Sequence, residues 1–87
     1  MTNNKLLLQT IVGNQLGIPP NQVDPDAHFA KELGADSLDV IEIVLTVEYD
    51  FGINIEDLYA SKISNIQEIL AYMDRLTHLE NLKKYFA

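Results

Sequence analysis

The sequence predicts an all-α fold, a small four-helix bundle with a short third helix and a long first loop. Apolar residues recur at helical spacing in three long segments, and no alternating strand pattern competes with them. Gly and Pro stand where those segments should stop. Of 87 residues, 47% are hydrophobic, enough for one core and a single domain over residues 1–87. A chain this short buries only about 60% of its unfolded surface or a little more, so its stability is modest.

The first helix runs from about Asn3 to Leu16, with Leu7, Leu8, Ile11, Val12 and Gln15–Leu16 at helical spacing. Gly17 supplies a C-terminal stop, and Pro19 and Pro20 follow it. Residues 18–36 form a long connection with three prolines, anchored in the core by Phe29 and Leu33. The second helix begins at Asp36 or Ser37 and ends near Phe51–Gly52. Asp36 is its N-cap, and Asp39 stands where a capping box needs an acid. A short helical turn follows around Glu56 to Ala60. The last helix opens at Ser64-Asn65-Ile66-Gln67, an S-x-x-Q capping box, and buries Ile66, Ile69, Leu70, Met73 and Leu76. Its periodicity continues through Leu79, Leu82 and Phe86, so residues 79–87 read as a helical C-terminal extension.

Charge narrows the choice of partner. Thirteen acids against six Lys and Arg give a net charge of −7. That balance repels nucleic acid and anionic membrane and favours basic protein surfaces. From Glu32 to Ser61 there is no Lys, Arg or His, yet Glu32, Asp36, Asp39, Glu42, Glu48, Asp50, Glu56 and Asp57 all fall there. Self-repulsion on that scale destabilises a compact fold and calls for a compensating function. No cysteine is present, so neither a disulfide nor a thiolate metal site forms. No apolar run is long enough to span a bilayer, and the N-terminus lacks a signal pattern. The expectation is a cytoplasmic monomer without membrane insertion.

The second helix carries two apolar faces. At 100° per residue, Val40, Ile43, Val44, Val47 and Phe51 cluster on one side, which is the core face. Leu38, Ile41 and Leu45 fall opposite, beside Glu42, Glu48 and Tyr49. Some aliphatic exposure is ordinary in a small bundle. Aliphatic anchors ringed by carboxylates fit better as a docking surface for an apolar groove rimmed by Arg and Lys.

Ser37, in the stretch GADSLD, begins that helix. As a nucleophile it would need a base. His28 in the long loop and His78 near the end of the last helix are the histidines, and no G-x-S-x-G elbow surrounds the serine. Surrounding carboxylates would also repel an oxyanion, so no catalytic residue is assigned. The stretch DPDAHF offers Asp24 and Asp26 as calcium ligands. The sixth and twelfth places of an EF-hand loop would be Phe29 and Ala35, where Gly and Glu are needed. No metal site is expected.

The segments ELGADSLDVIEIV, FGINIED and KISNIQEI resemble the acyl carrier protein family, in its free-standing form, over about residues 3–78. The resemblance implies that Ser37 receives a 4′-phosphopantetheine arm from coenzyme A. Acyl intermediates of fatty-acid or related lipid and polyketide synthesis would ride on the arm's thiol as thioesters, and the chain itself would not be an enzyme. It further implies that Asp36, Asp39, Glu42, Glu48 and Asp50, with Leu38, Ile41 and Leu45, dock on basic patches of the phosphopantetheinyl transferase and the synthase enzymes. The acyl chain is expected between the helices, against Val44, Val47, Ile63, Ile66 and Ile69. Two alternatives stay open: a carrier of aminoacyl or peptidyl groups such as D-alanyl, and an acidic adaptor that carries nothing.

Overall fold

The computed structural model describes residues 3–86, with side chains through Leu79 and at Leu82. Helix α1, Asn4–Leu16, starts where Asn3 accepts the Leu6 N–H and ends at Gly17, whose φ of 72° suits glycine. Its buried residues are Leu8, Ile11, Val12 and Gly13. Leu7, expected on the buried stripe, is instead exposed. It lies beside the stripe rather than on it, since Leu8, Ile11 and Val12 already fill the i, i+3, i+4 face.

Gly13 sits at a close approach that sequence reading passed over. Its carbonyl accepts the Ile18 N–H at 2.9 Å, and a Cβ there would lie 2.4 Å from the Ile18 carbonyl oxygen. Helix propensity alone would favour alanine by about 1 kcal/mol. The clash is with backbone, which cannot swing aside, and overpacking costs about 1–3 kcal/mol. Sterics wins. Gly13→Ala is expected to lower stability by about 1–2 kcal/mol in a urea or thermal melt. A stabilised variant would contradict this close packing.

The connection after α1 holds one 3-10 turn, Pro20–Gln22, and is otherwise pinned from the inside. Phe29 is fully buried, as expected, and Leu33 packs partly buried against the same cluster. Phe29 N–H donates to the Ser64 carbonyl at 2.8 Å, and Ala35 N–H returns to the Phe29 carbonyl at 2.8 Å. Those bonds tie the loop to the segment ahead of the last helix.

Helix α2, Ser37–Phe51, has the expected N-terminal geometry. Asp36 Oδ1 accepts the Asp39 N–H at 2.8 Å, and Asp39 Oδ2 accepts the Asp36 N–H at 3.1 Å, closing a reciprocal capping box. Gly52 ends the helix with φ 64°. Helix α3, Asp57–Ala60, is a single turn, and α4 runs Ile66–Phe86. Residues 79–86 lie within α4, while the side chains of Lys83, Lys84 and Phe86 lie outside the described residues.

The start of α4 departs from the expected capping box. Asn65, not Ser64, caps the helix, its Oδ1 accepting the Glu68 N–H at 2.9 Å. Glu68 reaches back to the Ser64 N–H at 3.1 Å and to the Ser64 hydroxyl. The Gln67 N–H, which a Ser64 box would need, already donates to the Pro25 carbonyl at 3.2 Å. The long loop thus sets the register by one residue.

The described residues contain four α-helices and no strand, the all-α bundle read from the sequence. Helix α1 packs against both α2 and α4. Ile43, Val47, Ile66 and Ile69 join Phe29, Leu8, Val12 and Val23 as fully buried residues of the core. Tyr72 closes one end, its ring 4.5 Å from that of Tyr59, with the Arg75 guanidinium 5.7 Å from the Tyr59 ring centre.

Candidate functional site

Ser37 is the first residue of α2 and is exposed, placed there by the Asp36–Asp39 box. Among the described residues its hydroxyl takes part in no hydrogen bond, nor do the N–H groups of Ser37 and Leu38. A helix start with unpaired N–H groups and a positive dipole end favours a phosphoester on that hydroxyl.

Beside Ser37 opens a cleft of about 760 Å³ between α2, α3 and the segment leading to α4. Val40, Ile41, Val44 and Leu45 form its α2 wall, and Ile55, Ala60 and Ile63 face them. Of the residues expected to hold cargo, Val44 and Ile63 line this cleft. Val47, Ile66 and Ile69 do not; they are fully buried in the core behind it. Their apolar stripes pack in the bundle interior, while the wall of the cleft opposite α2 comes from short segments without a periodic signal.

The outer face of α2 is laid out as expected in its apolar part. Leu38, Ile41 and Leu45 are 59%, 55% and 57% exposed, and Tyr49 is 88% exposed. Val40, Ile43, Val44, Val47 and Phe51 pack inward. The acids differ from a free rim. Asp36, Glu42 and Asp50 are exposed, whereas Asp39 and Glu48 are half-buried. Glu48 Oε2 accepts the Ile55 N–H at 2.8 Å and pins the α2–α3 loop over the cleft. Asp50 lies on a second groove, between α1 and α2, with Leu7, Thr46 and Phe51, away from the Leu38–Leu45 stripe.

Gln15 stands at a stripe position of α1 in the sequence, and the structure gives it a polar task. Its Nε2 donates to Asp39 Oδ1 at 3.0 Å and to Glu42 Oε2 at 2.6 Å, bridging the end of α1 to the start of α2. That bond, ahead of the Asp36 N–H, holds the Asp39 carboxyl below the ordinary carboxylate range. The folded state then binds fewer protons here than the unfolded chain. The stabilisation is complete above the ordinary range and is lost as pH falls through the lowered folded value. Gln15→Leu is expected to flatten the fall of melting temperature as pH drops through and below the ordinary carboxylate range, relative to wild type. Parallel curves would mean that the bridge does not act on Asp39.

His28 lines the same cleft as Ser37, but no hydrogen bond joins the two. Its Nδ1 instead accepts the N–H groups of Ala30 and Lys31, at 3.2 and 3.1 Å. A serine–histidine pair is therefore not assembled. No group of three or more metal-ligating side chains is found among the described residues.

Residues 7–73 match the profile of a family described as "phosphopantetheine attachment site". The chain is also 51% identical over 75 residues to an acyl carrier protein of Phaeodactylum tricornutum, covering 86% of this chain and 99% of that protein. The chain belongs to the acyl carrier protein family. It is similar as well to the acyl carrier proteins of Cylindrotheca sp., 50% identical over 85% of this chain and 92% of the relative, and of Helicobacter pylori, 42% over 77% and 86%. Acyl carrier proteins are carriers rather than catalysts, and the group that such a domain holds covalently is 4′-phosphopantetheine. The arm supplies a terminal thiol, which a cysteine-free chain lacks. An exposed, unpaired serine hydroxyl beside an apolar cleft fits that group.

Proposed function

We propose that Ser37 is the residue that receives the 4′-phosphopantetheine arm of coenzyme A. The arm presents acyl intermediates of fatty-acid or related synthesis as thioesters. The observation that carries this reading is the placement of Ser37, exposed at a capped helix start and on the wall of an apolar cleft. On this reading the chain has no catalytic role, and its work is to present and shelter cargo. It acts in the compartment that holds its enzymes, taken to be the cytoplasm. Among the described residues no helix is long and apolar enough to cross a membrane.

Partners are the phosphopantetheinyl transferase and synthase enzymes with basic docking patches. Leu38, Ile41 and Leu45 offer them apolar contact beside Ser37, while Asp36 and Glu42 steer association by charge. Asp39 and Glu48 act there chiefly by holding the helix start and the cleft loop in place. Asp50 contributes at longer range.

Acyl rather than aminoacyl cargo is supported by the cleft wall of Val40, Val44, Ile55, Ala60 and Ile63, which offers an alkyl chain dispersion contacts. Each methylene moved from water contributes at most about 0.8 kcal/mol, less the cost of parting packed groups. Melting temperatures of butyryl, octanoyl and hexadecanoyl forms should therefore rise with chain length and level off once the cleft is full. An alanyl form should match the unacylated holo protein. A series flat in chain length would place the cargo outside the cleft.

A further inference from the structure

We propose that His28 is a positioning residue for the phosphodiester joining the arm to Ser37; the proposal rests on Ser37 being the attachment residue. A phosphodiester at Ser37 adds negative charge between Asp36 and Asp39, in a chain of net charge −7. The unpaired N–H groups of Ser37 and Leu38 offset part of that repulsion, and the cleft beside Ser37 adds two basic residues, His28 and Lys62. Lys62 is exposed, a flexible point charge. His28 is held in place.

The hydrogen bonds of the ring fix its tautomer. Nδ1 accepts the Ala30 and Lys31 N–H groups, so the neutral imidazole carries its proton on Nε2. The two nitrogens lie on different edges of the ring, which leaves Nε2–H clear of the amides that Nδ1 binds. The backbone of the turn is braced as well. His28 N–H donates to Glu32 Oε1 at 3.1 Å, and the N–H groups of Glu32 and Leu33 donate to the His28 carbonyl at 2.9 and 3.1 Å. Phe29, the next residue, is fully buried.

Capping this turn does not require histidine. Ser, Asp or Asn accept such N–H groups as well or better. What histidine adds is a second edge bearing a donor, on the wall of the cleft that also holds Ser37. A neutral N–H to a phosphate oxygen is a charge-assisted bond and needs no proton uptake. The charged residues that share the cleft or the turn with His28 are Lys31 and Glu32 of its own turn, Glu48 of α2, Asp57 of α3 and Lys62 beyond it. Among the described residues the ring's hydrogen bonds are both at Nδ1, and neither Glu48, which accepts the Ile55 N–H, nor Asp57 takes the Nε2 donor.

The test separates the capping role from the positioning one. Wild type and His28→Ser are converted to the holo form with coenzyme A and a broad-specificity phosphopantetheinyl transferase, and mass spectrometry locates the arm. Phosphorus NMR is then recorded for each folded protein and for the same protein unfolded in urea. Ser keeps the cap, so the melting temperature and the amide signals of residues 28–33 should be preserved. The folded-minus-unfolded phosphorus shift should fall by at least half in His28→Ser. In wild type, the His28 Nε2 and its proton should shift between apo and holo protein, a measurement that stands whether or not the variant folds. Equal phosphorus shifts in both proteins, with an unmoved His28 Nε2, would overturn the proposal. An arm found on a serine other than Ser37 would overturn the attachment reading and this proposal with it, and the mass spectrum alone reveals that case.

Discussion

Replacing Phe29 by alanine is expected to lower the melting temperature by roughly 15–30 °C. The side chain is fully buried and is the largest such residue in the core. Truncating a buried Phe costs about 3–5 kcal/mol, the sum of lost transfer energy and an unfilled cavity. A domain of this size has a total stability toward the lower end of about 5–15 kcal/mol, so one such cavity removes much of it. Phe29 also connects stability to the site. Its backbone bonds to Ser64 and Ala35 hold the loop that leads directly to Asp36 and Ser37. Partial unfolding should therefore begin with the loop, and amides of residues 28–36 should lose protection before those of α1. A urea melt showing a loss below about 1 kcal/mol would contradict the packing of Phe29.

Much of this architecture could be read from residue patterns because the deciding interactions are local. Asp36 and Asp39 lie three residues apart, and the box that they form depends on little else. Gly17 and Gly52 end their helices in the left-handed conformation that glycine adopts freely. The two-faced character of α2 follows from periodicity alone, and Leu38, Ile41 and Leu45 are indeed exposed.

Where reading by pattern failed, a distant group had intervened. The stretch SNIQE contains two overlapping capping boxes, and the Pro25 carbonyl decides between them by taking the Gln67 N–H. Glu48 reads as one more acid of the docking face, and only the structure adds its second task, accepting the Ile55 N–H seven residues on. Gln15 reaches across 24 and 27 residues to two carboxylates, which no helical period signals. The cleft was the least legible feature. Its far wall comes from Ile55, Ala60 and Ile63, in segments too short to carry a period; of these the sequence pointed to Ile63, while Val47, Ile66 and Ile69 stand in the core behind the cleft.

Attachment at Ser37 is the claim on which cargo, partners and the role of His28 all depend. The expected effect of Ser37→Ala is complete: without Oγ no phosphoester can form, however well the transferase docks. Folding should be almost untouched, because Ser37 is exposed and Asp36, not Ser37, caps the helix. Retained melting temperature with abolished loading would thus separate attachment from structure. The direct measurement is the mass of wild type and Ser37→Ala after incubation with coenzyme A and a broad-specificity phosphopantetheinyl transferase, with peptide mapping of any modified chain. The account predicts one phosphopantetheine on wild type, mapped to Ser37, and none on the variant; an arm on Ser61 or Ser64, or loading of the alanine variant, would contradict it.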